Sequence, residues 1–109
     1  MTKTIRYLDN DNQYQNLNIE DSAGMFVRFQ NEFKKSLFDK ETLNDPMVGL
    51  RLAYVMAKPR PTEGFEEFCD RFSMSAVLPI SNACVQLLEG AFEDDAEKSK
   101  NAESPLTGK

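Results

Sequence analysis

The C-terminal seventeen residues, 93–109, most constrain what this chain can fold into. They read EDDAEKSKNAESPLTGK and contain one large apolar side chain, Leu106. A segment of this composition cannot bury enough apolar surface to offset the conformational entropy that it would lose on ordering. The sequence therefore predicts a disordered acidic tail over 93–109, and a single folded domain must be built from residues 1–92.

Apolar residues in 1–92 recur at helical spacing in four segments. The first predicted helix follows Asp21–Ser22, and the second begins at Asp45–Pro46, where a capping residue precedes a proline suited to a first turn. The third predicted helix begins at Thr62, and the fourth begins at Pro79. The predicted inward-facing residues are, helix by helix, Met25, Phe26, Phe29, Phe33 and Leu37; Met47, Leu50, Tyr54 and Ala57; Phe65, Phe68, Cys69 and Phe72; and Ile80, Ala83, Cys84, Leu87 and Leu88.

These segments predict a mainly α fold, namely a small bundle of about four helices followed by the disordered tail. Residues 3–8 and 13–19 instead alternate between apolar and polar side chains. The Asp and Asn residues of 9–12 favour a turn between them, so the pattern is also compatible with a short N-terminal β-hairpin. An isolated hairpin is marginal in water, and this one would have to pack on the helices.

The same N-terminal segment contains a partial calcium-loop pattern. Template positions 1, 3, 5, 7 and 12 are occupied by Asp9, Asp11, Gln13, Gln15 and Glu20. The template requires glycine at position 6 for its sharp turn, and this chain has Tyr14 there. A polar hairpin turn is therefore the better interpretation.

Composition argues against several classes of function. The formal net charge is -5 and no stripe of Lys and Arg runs along the chain, so binding to nucleic acid or to an anionic membrane is not expected. The chain has no histidine, which removes His-based triads and Cys-His dyads. The adjacent acids Glu66 and Glu67 point apart on a helix and do not share a site. We expect no enzymatic activity, no cofactor and no metal.

The two cysteines and the N-terminus bear on location. Cys69 and Cys84 lie among apolar residues in predicted helices, so two reduced core thiols are favoured, although a disulfide between them stays open. The N-terminus lacks the apolar core of a signal peptide, and no apolar run reaches the length of roughly 18 residues typical of a membrane span. We expect a protein of the reducing cytoplasm.

The segment MVGLRLAYVMAKPRPTEGFEEFCDRF resembles the tail assembly chaperones of long-tailed bacteriophages. The shared features are a central helix containing Leu50 and Tyr54, a short break, and the F-E-E-F pattern of 65–68. A body of this size that ends in an acidic, polar segment is also similar to that family. The resemblance covers residues 45–109.

The resemblance implies a non-enzymatic chaperone in the host cytoplasm. Its partners would be the tape measure protein, whose apolar helices it keeps soluble, and the tail tube protein; a homo-oligomer stays open. The aromatic-rich body adds four candidate partner-binding residues: Phe65, Phe68, Phe72 and Phe92. An alternative from another class is a small acidic phage-encoded inhibitor or adaptor of a host protein, which would need dense negative charge on one folded face.

Overall fold

The computed structural model describes the backbone of residues 2–103 and the side chains of residues 2–90. Within that part of the chain a β-hairpin precedes five α-helices. The elements are β1 (Thr2–Leu8), β2 (Tyr14–Glu20), α1 (Ala23–Phe33), α2 (Lys40–Leu43), α3 (Val48–Met56), α4 (Phe65–Cys69) and α5 (Val77–Glu103), with a 3-10 turn at Met74–Ala76 directly before α5.

The predicted hairpin is confirmed, and its turn is built around Asp9. The strands pair antiparallel from Thr2 opposite Glu20 to Leu8 opposite Tyr14. One carboxylate oxygen of Asp9 accepts hydrogen bonds from the backbone N–H groups of Asp11 and Gln13, both at 2.9 Å. This is the local side-chain bonding that makes aspartate a turn residue.

The inner face of the hairpin is part of the core. Its inward row is Ile5 and Tyr7 from β1 and Leu17 and Ile19 from β2, and all four are buried. β1 lies against α5 and β2 lies against α3. The outer edge of β2 is extended by the residues that follow α3, since Ile19 forms an antiparallel bridge with Ala57.

Helix α3 is the central helix of the fold. Seven of its nine residues are buried, and it lies against both α1 and α5. Gly49 permits the approach of α5, because a Cβ built at that position would lie 2.4 Å from the Cβ of Ser81.

The prediction of a mainly α bundle is wrong. The hairpin contributes four side chains to the single core, so the fold is a two-stranded antiparallel sheet packed on helices. The helical boundaries differ as well: α1 ends at Phe33, because Lys34 adopts a left-handed conformation with φ of 58°, and the short helix α2 lies in a segment with no helical prediction. The fourth predicted helix begins earlier, at Val77.

The predicted disordered tail is also wrong where its backbone is described. Helix α5 continues through Glu103, and the remaining residues, 104–109, lie outside the described part of the chain. Ala, Glu and Lys are good helix formers, and extending a helix that is already nucleated is far easier than starting one. A polar composition therefore does not prevent 93–103 from continuing α5. The division of the chain into a 1–92 domain and a separate tail stays a prediction.

Both cysteines are free thiols, as predicted. Cys84 is fully buried on α5, whereas Cys69 at the end of α4 is half-buried. Burial raises the pKa of the Cys84 thiol to about 12, so it stays protonated and unreactive at neutral pH. Among the described residues, no helix combines the length and hydropathy needed to cross a membrane.

Candidate functional site

Two of the four predicted partner-binding residues lie in the core. Phe68 is fully buried and Phe72 is 6% exposed. The ring of Phe68 contacts Tyr54 on α3, with centroids 5.3 Å apart, and Phe72, with centroids 5.2 Å apart. Their burial argues against direct contact with a partner.

The other two predicted residues differ from this pair. Phe65 is half-buried and packs edge-on against Phe33 and Tyr54, with centroid distances of 5.0 and 5.7 Å. Its ring closes one side of the aromatic cluster that joins α1, α3 and α4. The side chain of Phe92 lies outside the described residues. A partner-binding role for Phe65 and Phe92 stays a prediction.

An exposed apolar pair occurs instead at the start of α5. Met74 in the 3-10 turn is 90% exposed, and Leu78 in the first turn of α5 is 70% exposed. They are four residues apart, in the 3-10 turn and in the first turn of the helix that directly follows it, so both protrude near the N-terminal end of α5. Met74 and Leu78 are called the α5 patch below.

The position of the α5 patch follows from the core-facing row of α5. Ala76, Ile80 and Cys84 recur every four residues and are all buried. Leu78 lies two residues from Ile80, which is about 200° around a helix, so it must point away from the core. Sequence reasoning missed the patch because the fourth helix was predicted to begin only at Pro79. The sequence signal that could have revealed the patch is the spacing of the apolar residues 74 and 78, which are out of phase with the buried row of α5.

A second exposed aromatic lies in the connection between α1 and α2. Phe38 is 74% exposed and stacks on the half-buried Phe26 of α1, with ring centroids 5.1 Å apart and planes 4° apart. The Oγ of Ser36 accepts a hydrogen bond from the N–H of Phe38 at 3.1 Å. This local turn places Leu37 in the core while its neighbour faces outward.

A polar cleft lies between α1 and the segment that follows α3. It has a volume of about 270 Å³ and is lined by Arg28, Asn31, Glu32, Tyr54, Val55, Arg60 and Pro61. An adjoining cleft of about 280 Å³ is lined by Glu20, Ser22, Arg28, Met56, Ala57, Lys58, Pro59 and Arg60. Arg28 and Arg60 line both clefts.

The side chain of Arg28 is held in place by a hydrogen bond to the backbone of α3. Its Nε donates to the carbonyl oxygen of Val55 at 3.1 Å, which leaves its two terminal nitrogens for other partners. Partial burial lowers the pKa of this guanidinium from its ordinary value, and the positive charge of Arg60 lowers the pKa further. Sequence reasoning did not pair these two arginines, because only the fold brings α1 next to residue 60.

The residues of the calcium-loop template lie in the hairpin, where Asp9 organises the turn. Both carboxylate oxygens of Asp9 accept hydrogen bonds from groups of the hairpin itself, since Oδ2 bonds Nε2 of Gln15 at 3.0 Å and Oδ1 bonds the turn backbone. The interpretation as a polar turn is confirmed. Over the described range, no group of three or more Cys, Asp or Glu residues is arranged to hold a metal ion.

Comparison with known proteins does not assign the chain to a family. No protein-family model, curated protein or solved structure matches it.

Proposed function

We propose that this chain is a non-enzymatic tail assembly chaperone of the long-tailed bacteriophage type. It would bind the tape measure protein and keep it soluble in the host cytoplasm while tail tube subunits assemble. The observation that supports this proposal best is the α5 patch, two large apolar side chains that protrude from the surface. The resemblance of residues 45–109 to that family supplies the identity of the partner.

An exposed patch of this kind suits the coverage of amphipathic helices. Fully burying a Leu or Met side chain contributes about 1.5–3 kcal/mol, so two of them provide a weak contact. Association also costs translational and rotational freedom, which keeps a contact of this size reversible. Weak contacts repeated along a long tape measure protein would shield it and still release it for assembly. The net charge of -5 would help to keep such a complex dispersed.

The first prediction tests the patch by co-expression with the tape measure protein of the same genome. We expect the wild-type chain to raise the soluble fraction of the tape measure protein and to co-purify with it. The double variant Met74→Ser/Leu78→Ser should lose most of this effect, because it removes the apolar contact surface. Both side chains are exposed, so the melting temperature should change little.

Val27→Ser is the matched control for this experiment. Val27 is an exposed apolar residue, 60% accessible, on α1, so its replacement removes an exposed apolar side chain that lies outside the patch. The control should solubilise the tape measure protein as well as the wild type does. The proposal fails if the tape measure protein stays insoluble at saturating wild-type chain. Binding to a basic host protein that high salt abolishes would instead favour the acidic inhibitor.

A further inference from the structure

The two arginines of the polar cleft form no ion pair with any carboxylate in the described residues. The side-chain ion pairs there are Lys35 and Arg51 with Asp45, Lys58 with Glu20, and Arg71 with Glu63. The guanidinium of Arg28 makes one described hydrogen bond, through Nε, and that of Arg60 makes none. Two guanidinium groups therefore line one cleft, and most of their N–H donors are available to a ligand.

The conformation of Arg28 is set by the fold before any ligand arrives. Its Nε is fixed to the carbonyl of Val55, and Gly24 leaves room for its head group, since a Cβ at Gly24 would lie 3.0 Å from Nη1. A guanidinium held at Nε presents its terminal nitrogens as a planar fork, which matches the two oxygens of a carboxylate. Preorganisation of this kind lowers the entropic cost of binding.

The charge and walls of the cleft indicate which anion fits. Lys58 pairs with Glu20, and Glu32 lines the same cleft as Arg28 and Arg60, so the local excess is about one positive charge. A singly charged carboxylate balances that excess, whereas a phosphate dianion would overcompensate it. Pro61 adds an apolar residue to the lining, whereas Val55 is only 4% exposed and contributes little side-chain surface. At about 270 Å³ the cleft suits one side chain or one chain end rather than a whole cofactor.

We propose that the Arg28–Arg60 cleft binds a carboxylate carried on a small apolar group of a partner polypeptide. The carboxylate is either the free C-terminus of that polypeptide or an acidic side chain beside an apolar one. Arg28 and Arg60 donate hydrogen bonds to the oxygens, and Pro61 contacts the apolar neighbour. This site shares no residue with the α5 patch, and the proposal does not rest on the chaperone function.

The test is a titration of the ¹⁵N-labelled full chain with small probes, followed by NMR. N-acetyl-leucine represents a chain end, the α-amide of N-acetylglutamate represents a side chain, and N-acetyl-leucinamide is the uncharged control. We expect saturable shifts of the Arg28 Nε–Hε signal and of the Val55 amide, with a dissociation constant of about 1 mM for a ligand of this size. Whichever carboxylate binds more tightly shows whether the natural ligand is a chain end or an acidic side chain.

Arg60→Gln should weaken carboxylate binding about tenfold or more, because a charge-assisted hydrogen bond is lost. Arg60 is exposed, so this variant leaves the core unchanged, and Arg28→Gln should act in the same direction. Arg6→Gln is the matched control, since Arg6 is an exposed arginine that covers the Tyr14 ring on the outer face of the hairpin. It should bind as the wild type does.

Three results would overturn the proposal. The first is a set of shifts that does not saturate or that persists in both Arg28→Gln and Arg60→Gln. The second is equal binding of N-acetyl-leucinamide, which would mean that the cleft selects the apolar group alone. The third is tighter binding of inorganic phosphate than of either carboxylate, which would make this a phosphate site.

Discussion

Among the glycines in the described part of the chain, Gly49 has the least room for a side chain. A Cβ added there would lie 2.6 Å from the Cα of Ser81 as well as 2.4 Å from its Cβ. Backbone cannot move aside as the end of a flexible side chain can, so α3 and α5 would have to separate. Since α3 is the central helix, a small shift there disturbs the packing of several neighbours. Gly90, on α5, has no atom within 4 Å of such a Cβ.

These two glycines should respond to the same substitution with opposite signs. Gly49→Ala should lower the free energy of unfolding by about 1–3 kcal/mol or more, because it overpacks the α3–α5 contact. Gly90→Ala should raise it by about 0.5–1 kcal/mol, because alanine has the higher helix propensity and meets no obstacle. Urea denaturation of both variants measures the difference. A neutral Gly49→Ala would show that the two helices are not in close contact.

At the scale of elements, the hairpin decides the fold class. Ile19 on β2 is fully buried and bridges to Ala57 after α3, and the backbone N–H of Lys58 donates to the carbonyl of Asn18 at 2.8 Å. The far end of β1 is also tied down, because the Oγ of Ser73 donates to the carbonyl of Leu8 at 2.8 Å. The hairpin is thus anchored at both ends and is not an appendage of the helices.

Removing one of the inward side chains of the hairpin should therefore destabilise the whole domain. Ile19→Ala should cost about 2–5 kcal/mol, since it leaves a cavity under the sheet. Asn16→Ala, on the same strand but exposed, should change the free energy of unfolding by less than about 0.5 kcal/mol. Helical circular dichroism is the decisive signal. If the helical signal shows that Ile19→Ala unfolds with wild-type stability, the helices fold without the sheet.

At the scale of the whole molecule, three carboxylates stabilise the fold, because neighbouring hydrogen-bond donors and positive charges favour their ionised form. The pKa of Asp9 is lowered chiefly by the backbone N–H of Gln13, and that of Asp45 chiefly by the backbone N–H of Met47. The pKa of Glu63 is lowered chiefly by its own backbone N–H and then by Arg71. These contacts lie in the hairpin turn, before α3 and before α4.

Acid should therefore remove stability from several elements together. A carboxyl with a lowered folded pKa contributes stability that is complete above its unfolded pKa, 3.8 for Asp and 4.5 for Glu, and that is lost as the pH falls further. The chain has no histidine, so stability should be nearly constant from about pH 6 to 8. Denaturant melts between pH 8 and pH 3 test this.

The triple variant Asp9→Asn/Asp45→Asn/Glu63→Gln is the control for the pH dependence. It should be less stable than the wild type at pH 7, and the difference should shrink as the pH falls to 3, because protonation of the wild-type carboxyls progressively removes the charges that the variant lacks at every pH. An equal slope for the two proteins would show that other groups cause the acid sensitivity.

The sequence by itself determined the local features of this protein. Alternation and an aspartate-rich turn were enough to predict the hairpin, because both act within a few residues. Helical spacing placed Phe29, Phe68 and Ile80 on inward faces, and all three are fully buried. The proline and cap patterns located the second helix to within three residues. The continuation of α5 past residue 92 ran against the argument from composition, because composition ignores that a helix already packed elsewhere extends easily.

The tertiary structure alone decided what is exposed and what is brought together. The number of aromatic residues suggested a partner-binding surface at Phe68 and Phe72, but exposure depends on neighbours that are distant in the sequence, and Tyr54 and Tyr7 cover these rings. The same holds for the Arg28–Arg60 cleft, which exists because α1 and the segment after α3 lie side by side. Periodicity reports which face of an element is apolar, and packing then decides which partner meets that face.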